Sequence, residues 1–211
     1  KAFDVALLEA GFPQHHLVKE SIRLAQAAED MTALIGARRS EGWQYVRAEN
    51  YGIVTLPEID FTLSSYADLI EKSAQGYAVI DYKTGTPATE SVVQAGFDPQ
   101  LPLTGVMLAR GGFEKVPAGP TAQMLYIRVK GAGSDTEAKY ITAPENKKGW
   151  SAEDYQTAAF ESLGKLVARF DDPGTPYLSQ PRIQYTNDYG DYDDLARRGE
   201  WAQIGDEGSG S

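Results

Sequence analysis

The sequence predicts an α/β domain built on a mixed, partly antiparallel β-sheet flanked by helices. Three observations carry this expectation. Apolar spacing runs along the chain in the order helix, strands, helix, strands, helix. Apolar residues fill 42% of the 211 positions, enough for a real core. Polar links separate neighbouring strand candidates, which favours hairpins for at least part of the sheet.

The first helix is predicted over 14–39. Leu17, Leu24, Ala28, Met31 and Ile35 recur at three-, four- and seven-residue spacing and form one stripe, expected to face the core. Gly36 and the run Arg38-Arg39-Ser40-Glu41-Gly42 end it. Three strands follow. The first, 51–56, is short and stops at Pro57. The second, 61–70, alternates: Phe61, Leu63, Ser65 and Ala67 share one face, Thr62, Ser64, Tyr66 and Asp68 the other. The third, 77–83, is rich in aromatic and β-branched residues, and the polar link 71–76 makes a hairpin with the second.

A second helix is predicted from Asp98, as N-cap, with Pro99 at its first position; it runs to Arg110 and stops at Gly111-Gly112. Strands 123–130 and 138–142 form another hairpin around Gly131-Ala132-Gly133-Ser134. The last long helix begins at Ser151, with Asp154 completing a capping box and Tyr155, Ala159, Leu163, Leu166 and Phe170 facing inward. The expected organisation is a core domain over 1–172. An extended tail, 173–211, would pack on it and end in a Gly/Ser-rich segment.

Composition narrows the function. Twenty Lys and Arg stand against 30 Asp and Glu, a net charge of −10. Phosphate contacts need local positive charge, so this balance argues against a domain that grips nucleic acid alone. The absence of cysteine excludes a disulfide framework, thiolate zinc sites and a thiol nucleophile. It is compatible with a reducing cytoplasm, the expected location. No stretch approaches the roughly 18 uncharged apolar residues of a membrane helix, so no membrane partner is expected. No Walker-type glycine loop is present, so no motor activity is expected. The ends, Lys1 without a Met and Gly208-Ser209-Gly210-Ser211, suggest a piece of a longer chain.

The sharpest chemical signal is Ala78-Val79-Ile80-Asp81-Tyr82-Lys83-Thr84-Gly85. Residues two apart in a strand share a face, so Asp81 and Lys83 project together while Tyr82 points away. An acid and an amine side by side at a strand end can hold a metal and orient a water. The same octapeptide also reads as an ordinary surface strand ending in a Thr-Gly turn. A turn centred between Ser73 and Ala74 makes opposed residues sum to 73 + 74 = 147, setting Tyr66 opposite Asp81. Asp68 would then lie on Asp81's face, diagonal to it and roughly 7–8 Å away. Two carboxylates at that separation can share one hard divalent cation.

Asp68 followed 13 residues later by Asp81-Tyr82-Lys83 resembles the PD-(D/E)XK nuclease pattern in its RecB-like branch. Further along, Gly96-Phe97-Asp98-Pro99-Gln100-Leu101-Pro102-Leu103 resembles the glutamine-bearing helix start of that branch. Pro176-Tyr177-Leu178-Ser179-Gln180-Pro181-Arg182, Gly190-Asp191-Tyr192-Asp193-Asp194-Leu195-Ala196-Arg197 and Glu200-Trp201 are similar to the C-terminal end of AddB-type helicase–nuclease subunits. The resemblance spans about 38–208. The stretch that usually reads Arg-Ala-Asp-Arg-Ile-Asp is Tyr66-Ala67-Asp68-Leu69-Ile70-Glu71 here, keeping the acid and lacking the cations. Thr104 and Asp194 stand where a tyrosine and a histidine are common.

What the resemblance implies is a restriction-endonuclease-like core and a Mg²⁺- or Mn²⁺-dependent deoxyribonuclease acting on single-stranded DNA in double-strand break repair. Its partners would be DNA, an AddA-like subunit and the rest of an AddB-like chain. Asp68, Asp81 and the Tyr82 carbonyl would ligate the metal. Lys83 would orient water and offset phosphate charge, and Gln100 would bond Lys83 or the phosphate. Lacking cysteine, the chain resembles the branch without an iron–sulfur cluster. The alternative is a nuclease-fold module that binds or scaffolds without cutting.

Other candidates rank lower. Glu49 could be an outer carboxylate, and His15-His16 reads first as an exposed helix start. Asp188, Asp191, Asp193 and Asp194 fail the EF-hand spacing and read as a solvated strip. Trp43, Trp150 and Trp201 read as core or seam residues before base-stacking ones. Arg23, Lys83, Lys115, Arg128, Lys130, Lys147 and Lys148 are candidate groove cations.

Overall fold

Five strands form one sheet in the order β1-β2-β3-β4-β5: β1 (Gln44–Leu56), β2 (Phe61–Ser73), β3 (Gly76–Lys83), β4 (Thr121–Arg128) and β5 (Glu137–Tyr140). The computed structural model describes residues 5, 9–11, 17–130, 136–142 and 149–177, with 17–20 as backbone only. The chain divides into two units, Lys1–Ala168 and Arg169–Ser211. Neighbouring strands are antiparallel except β3 and β4, which are parallel. A parallel pair needs a crossover, here α2 (Glu90–Gln94) and α3 (Gln100–Ala109). Outside the crossover stand α1 (Leu17–Ser40) and α4 (Ala152–Asp171).

Each sheet face has its own core. On one, Tyr77 and Val79 of β3 and Met124 and Tyr126 of β4 pack with Leu101, Met107 and Leu108 of α3 and with Tyr155 of α4. On the other, Leu69, Ala78, Ile80, Leu125 and Ile127 pack with Trp43 and with Met31 and Leu34 of α1. Helix α3 is buried on nearly every side, which its apolar sequence and Gly105 permit.

The buried side of α1 is rotated from the expected stripe. Ala27, Met31, Leu34 and Arg38 turn inward, whereas Leu24 is exposed; Leu17's side chain lies outside the described residues. The cause is Arg38, only 2% exposed, whose Nε donates to Glu71 Oε2 at 2.6 Å and whose guanidinium lies 5.0 Å from the Trp43 ring. Glu71, expected in a polar link, is therefore a buried strand residue, and β2 and β3 extend until Ala74-Gln75 alone joins them.

Strand β1 is longer than its apolar signal because it lies at the sheet edge, where polar residues such as Arg47 and Asn50 pair with β2 while remaining partly exposed. The expected capping box of α4 forms: Asp154 N–H donates to Ser151 Oγ at 3.2 Å and Ser151 N–H to Asp154 Oδ2 at 2.7 Å. Leu166 does not face inward as expected but is exposed, because the partly buried side runs through Ala159, Leu163 and Val167. Within 169–177, Phe170 and Tyr177 stack at 4.8 Å. The turn 131–134 lies outside the described residues. Among those described, no helix is long and apolar enough to cross a membrane.

Candidate active site

The β2–β3 ladder runs from Ser73↔Gly76 to Leu69↔Ile80, so opposed residues sum to 69 + 80 = 149. The expected sum of 147 is therefore overturned, and Tyr66 does not oppose Asp81. The reason is local: Gly76, at φ +133°, starts β3 beside the Pro120 carbonyl, so the turn falls on Ala74-Gln75. Continuing the observed register brings Asp68 across from Asp81 (68 + 81 = 149), one position past the last ladder pair. At that point the strands part. Tyr82 N–H donates to Asp68 Oδ2 at 2.9 Å, a side-chain bond where a ladder bond would otherwise stand. Ala67 and Ile70, three apart, both reach the core beneath α3, so the alternation of β2 breaks around Asp68. Across from it on β1, between the pairs Ala48↔Leu69 and Asn50↔Ala67, Glu49 has a positive φ of 47° and is exposed.

Asp81 and Lys83 follow Tyr77 and Val79 on the α3 side of β3. Asp81 is 4% exposed. Lys83 Nζ stands 2.7 Å from Asp81 Oδ2, donates to Gln100 Oε1 at 3.3 Å, and lies 5.6 Å from the centroid of the Tyr126 ring. Gln100 opens α3, which fixes it above the end of β3. The Lys83 ammonium is the one partner of the buried Asp81 Oδ2 among the described residues.

Burial pushes the Asp81 carboxyl above the usual carboxylate range; Lys83 pulls it back in part, and the charges of Asp68 and Asp98 add to the rise. For Lys83, burial works against the ammonium. The Asp81 bond and charge, helped by Asp98 and Asp68, outweigh it, so the amine is held above its ordinary value and is an ammonium at neutral pH. Burial, then Asp98, drives the Tyr126 hydroxyl far upward, so it stays protonated.

Asp98 is a further acid close to this group, where the sequence pattern predicts a helix N-cap. It does not cap a helix: α3 begins at Gln100, with Pro99 at the cap position and no side-chain cap bond. Its charge is instead felt at Asp81, Lys83 and Tyr126. Its place two residues before Gln100 was the available signal. Tyr126 pairs with Asp81 across the parallel strands, a register that no local pattern reveals.

Other candidates fall outside this group. Thr104 is buried in α3, Trp43 is buried in the core, and Trp150 packs 5.2 Å from the Tyr155 ring. Lys115 pairs with Glu114, and Lys130 with Glu137. His15, His16, Lys147, Lys148, Asp188, Asp191, Asp193, Asp194, Trp201 and the tail motifs beyond Tyr177 lie outside the described residues.

Among the described residues no three His, Cys, Asp or Glu side chains gather as a metal site. The donors at hand are carboxylate oxygens of Asp68 and Asp81. The buried Asp81 carboxylate, whose one close partner is the Lys83 ammonium, is chemically suited to a hard divalent cation with water and phosphate completing its shell.

A mixed five-stranded sheet with flanking helices, carrying two carboxylates and a lysine where two strands part, defines a restriction-endonuclease-like α/β domain. Compared with known families, the sequence matches the PD-(D/E)XK nuclease superfamily over residues 2–179. The chain belongs to that superfamily, whose members are nucleases and typically use divalent metal ions. No curated protein matches the chain.

Proposed function

We propose that the chain is a divalent-metal-dependent DNA nuclease domain of the RecB-like branch, hydrolysing phosphodiester bonds of single-stranded DNA. The supporting observation is the convergence of Asp68, Asp81 and Lys83 at the parted end of β2 and β3, with the buried Asp81 carboxylate paired to Lys83. Asp68, Asp81 and the Tyr82 carbonyl would hold Mg²⁺ or Mn²⁺, which when bound supplies the Lewis acid for phosphodiester hydrolysis. Asp68 ties the end of β2 to β3 through the Tyr82 N–H. Gln100 fixes the Lys83 ammonium, which offsets charge growing on the phosphate and donates to the attacking water. The AddB-like tail motifs support a place beside an AddA-like helicase subunit in break repair, in the cytoplasm, with partner domains supplying much of the grip on DNA.

The second reading, a nuclease-fold module that binds or scaffolds, is favoured by one observation. Where the resembled pattern carries arginines, Leu69 is buried in the core and Tyr66 is exposed. Incubating labelled single-stranded DNA with the chain and Mg²⁺ or Mn²⁺ separates the two. Cleavage lost in Asp81→Ala is expected; cleavage that survives this change removes the site from the reaction.

A further inference from the structure

We infer that Arg128 is a phosphate-binding residue that grips the nucleic-acid backbone beside the Asp68–Asp81–Lys83 site; this rests on the nuclease reading of that site. Arg128 ends β4 and is the parallel partner of Lys83 at the end of β3. Paired residues of adjacent strands share a face and lie about 4.8 Å apart at the backbone. An independent contact fixes which face this is. Tyr126, two residues earlier on β4, presents its ring to the Lys83 ammonium. The guanidinium of Arg128 therefore rises from the same side of the sheet as Lys83, one strand over.

Among the described residues it has no ion-pair partner. Arg128 Nε is buried without a hydrogen-bond partner, and no described carboxylate forms an ion pair with it. Glu137, its antiparallel partner on β5, is taken instead by Lys130 at 3.7 Å. Asp81, which pairs with Tyr126 two residues before Arg128, is taken by Lys83 at 2.7 Å. A buried donor left unmade costs stability, so a sequence that keeps one beside a phosphate site holds it for an anion. A guanidinium offers a planar fork suited to phosphate oxygens, where an ammonium offers a point charge. Lys83 and Arg128 thus divide the work: Lys83, neutralised by Asp81, serves the scissile phosphate, and Arg128 carries the free positive charge that an adjacent phosphodiester requires.

The test measures binding of a single-stranded oligonucleotide at several salt concentrations, with calcium in place of magnesium, for wild type, Arg128→Gln and Arg128→Lys, alongside their melting temperatures. Arg128→Gln is expected to bind about tenfold more weakly. Its log affinity–log salt slope should be shallower by about 0.7, one phosphate contact on a single strand. Its melting temperature should be unchanged or higher, because no partner is lost. Arg128→Lys should keep the salt slope. Wild-type affinity and slope in Arg128→Gln, with cleavage intact, overturn this assignment and leave the nuclease reading standing. A lower melting temperature with an unchanged slope makes Arg128 structural and also overturns it. A wild-type chain that neither binds nor cuts removes the nuclease reading and this assignment with it.

Discussion

Lys83 is held by Asp81, Gln100 and the Tyr126 ring. Replacing it by alanine should lower kcat by about 10²–10³-fold, the usual loss when a fixed donor is removed from a transition state. Manganese affinity, read by titration, should remain; its loss would make Lys83 a structural residue. A second residue-scale prediction concerns Arg38 and Glu71, a buried pair at 2.6 Å. Glu71→Leu strands a guanidinium and should cost about 3–5 kcal/mol in urea unfolding. Arg38→Met together with Glu71→Leu should recover much of that, since neither charge is then left alone. Asp68, Asp81 and Lys83 were legible in the sequence because strand alternation and one hairpin relate them. The nearness of Tyr126 to Asp81, and of Arg128 to Lys83, was not legible, because a parallel crossover brings β4 beside β3 and its register is written nowhere in the local pattern.

At the scale of elements, the hairpin register decides the site. Gly76 sits at φ +133°, and a Cβ there would meet the Pro120 carbonyl oxygen at 2.6 Å. Gly76→Ala should therefore destabilise the fold by about 1–3 kcal/mol, checked by thermal melting; an unchanged melting temperature would mean the turn does not set the register. The sequence located this hairpin but centred it one residue early, because the polar run 71–76 hides the buried Glu71. The observed register sets Asp68 across from Asp81 rather than diagonal to it, and the break in alternation at Asp68 turns its carboxylate to the Tyr82 N–H.

The α4 cap gives a pH prediction. Asp154 is held below the ordinary carboxylate range by the Ser151 backbone N–H first, then its hydroxyl. A depressed folded-state value contributes stability above the unfolded pKa, lost as pH falls through the folded one. Ser151→Ala removes the hydroxyl alone, so an NMR titration should show the Asp154 value rising part of the way back.

For the whole molecule, two features pull against each other. Twenty cationic against 30 anionic side chains give a chain that repels nucleic acid at a distance. The two ends of β3 and β4 nevertheless set Lys83 and Arg128 side by side. With Lys83 paired to Asp81, the proposed phosphate grip rests on Arg128, a single cation on an acidic body. The order of elements and both helix-covered faces could be read from apolar spacing. The parallel β3–β4 pair could not, since periodicity is the same for parallel and antiparallel strands.

The most direct test is a Mn²⁺ titration, followed by electron paramagnetic resonance, of wild type and the double variant Asp68→Asn/Asp81→Asn, with cleavage of single-stranded DNA measured on the same samples. One saturable site in the wild type, lost together with cleavage in the double variant, is the predicted result. Manganese binding and cleavage that persist without both carboxylates would contradict the account.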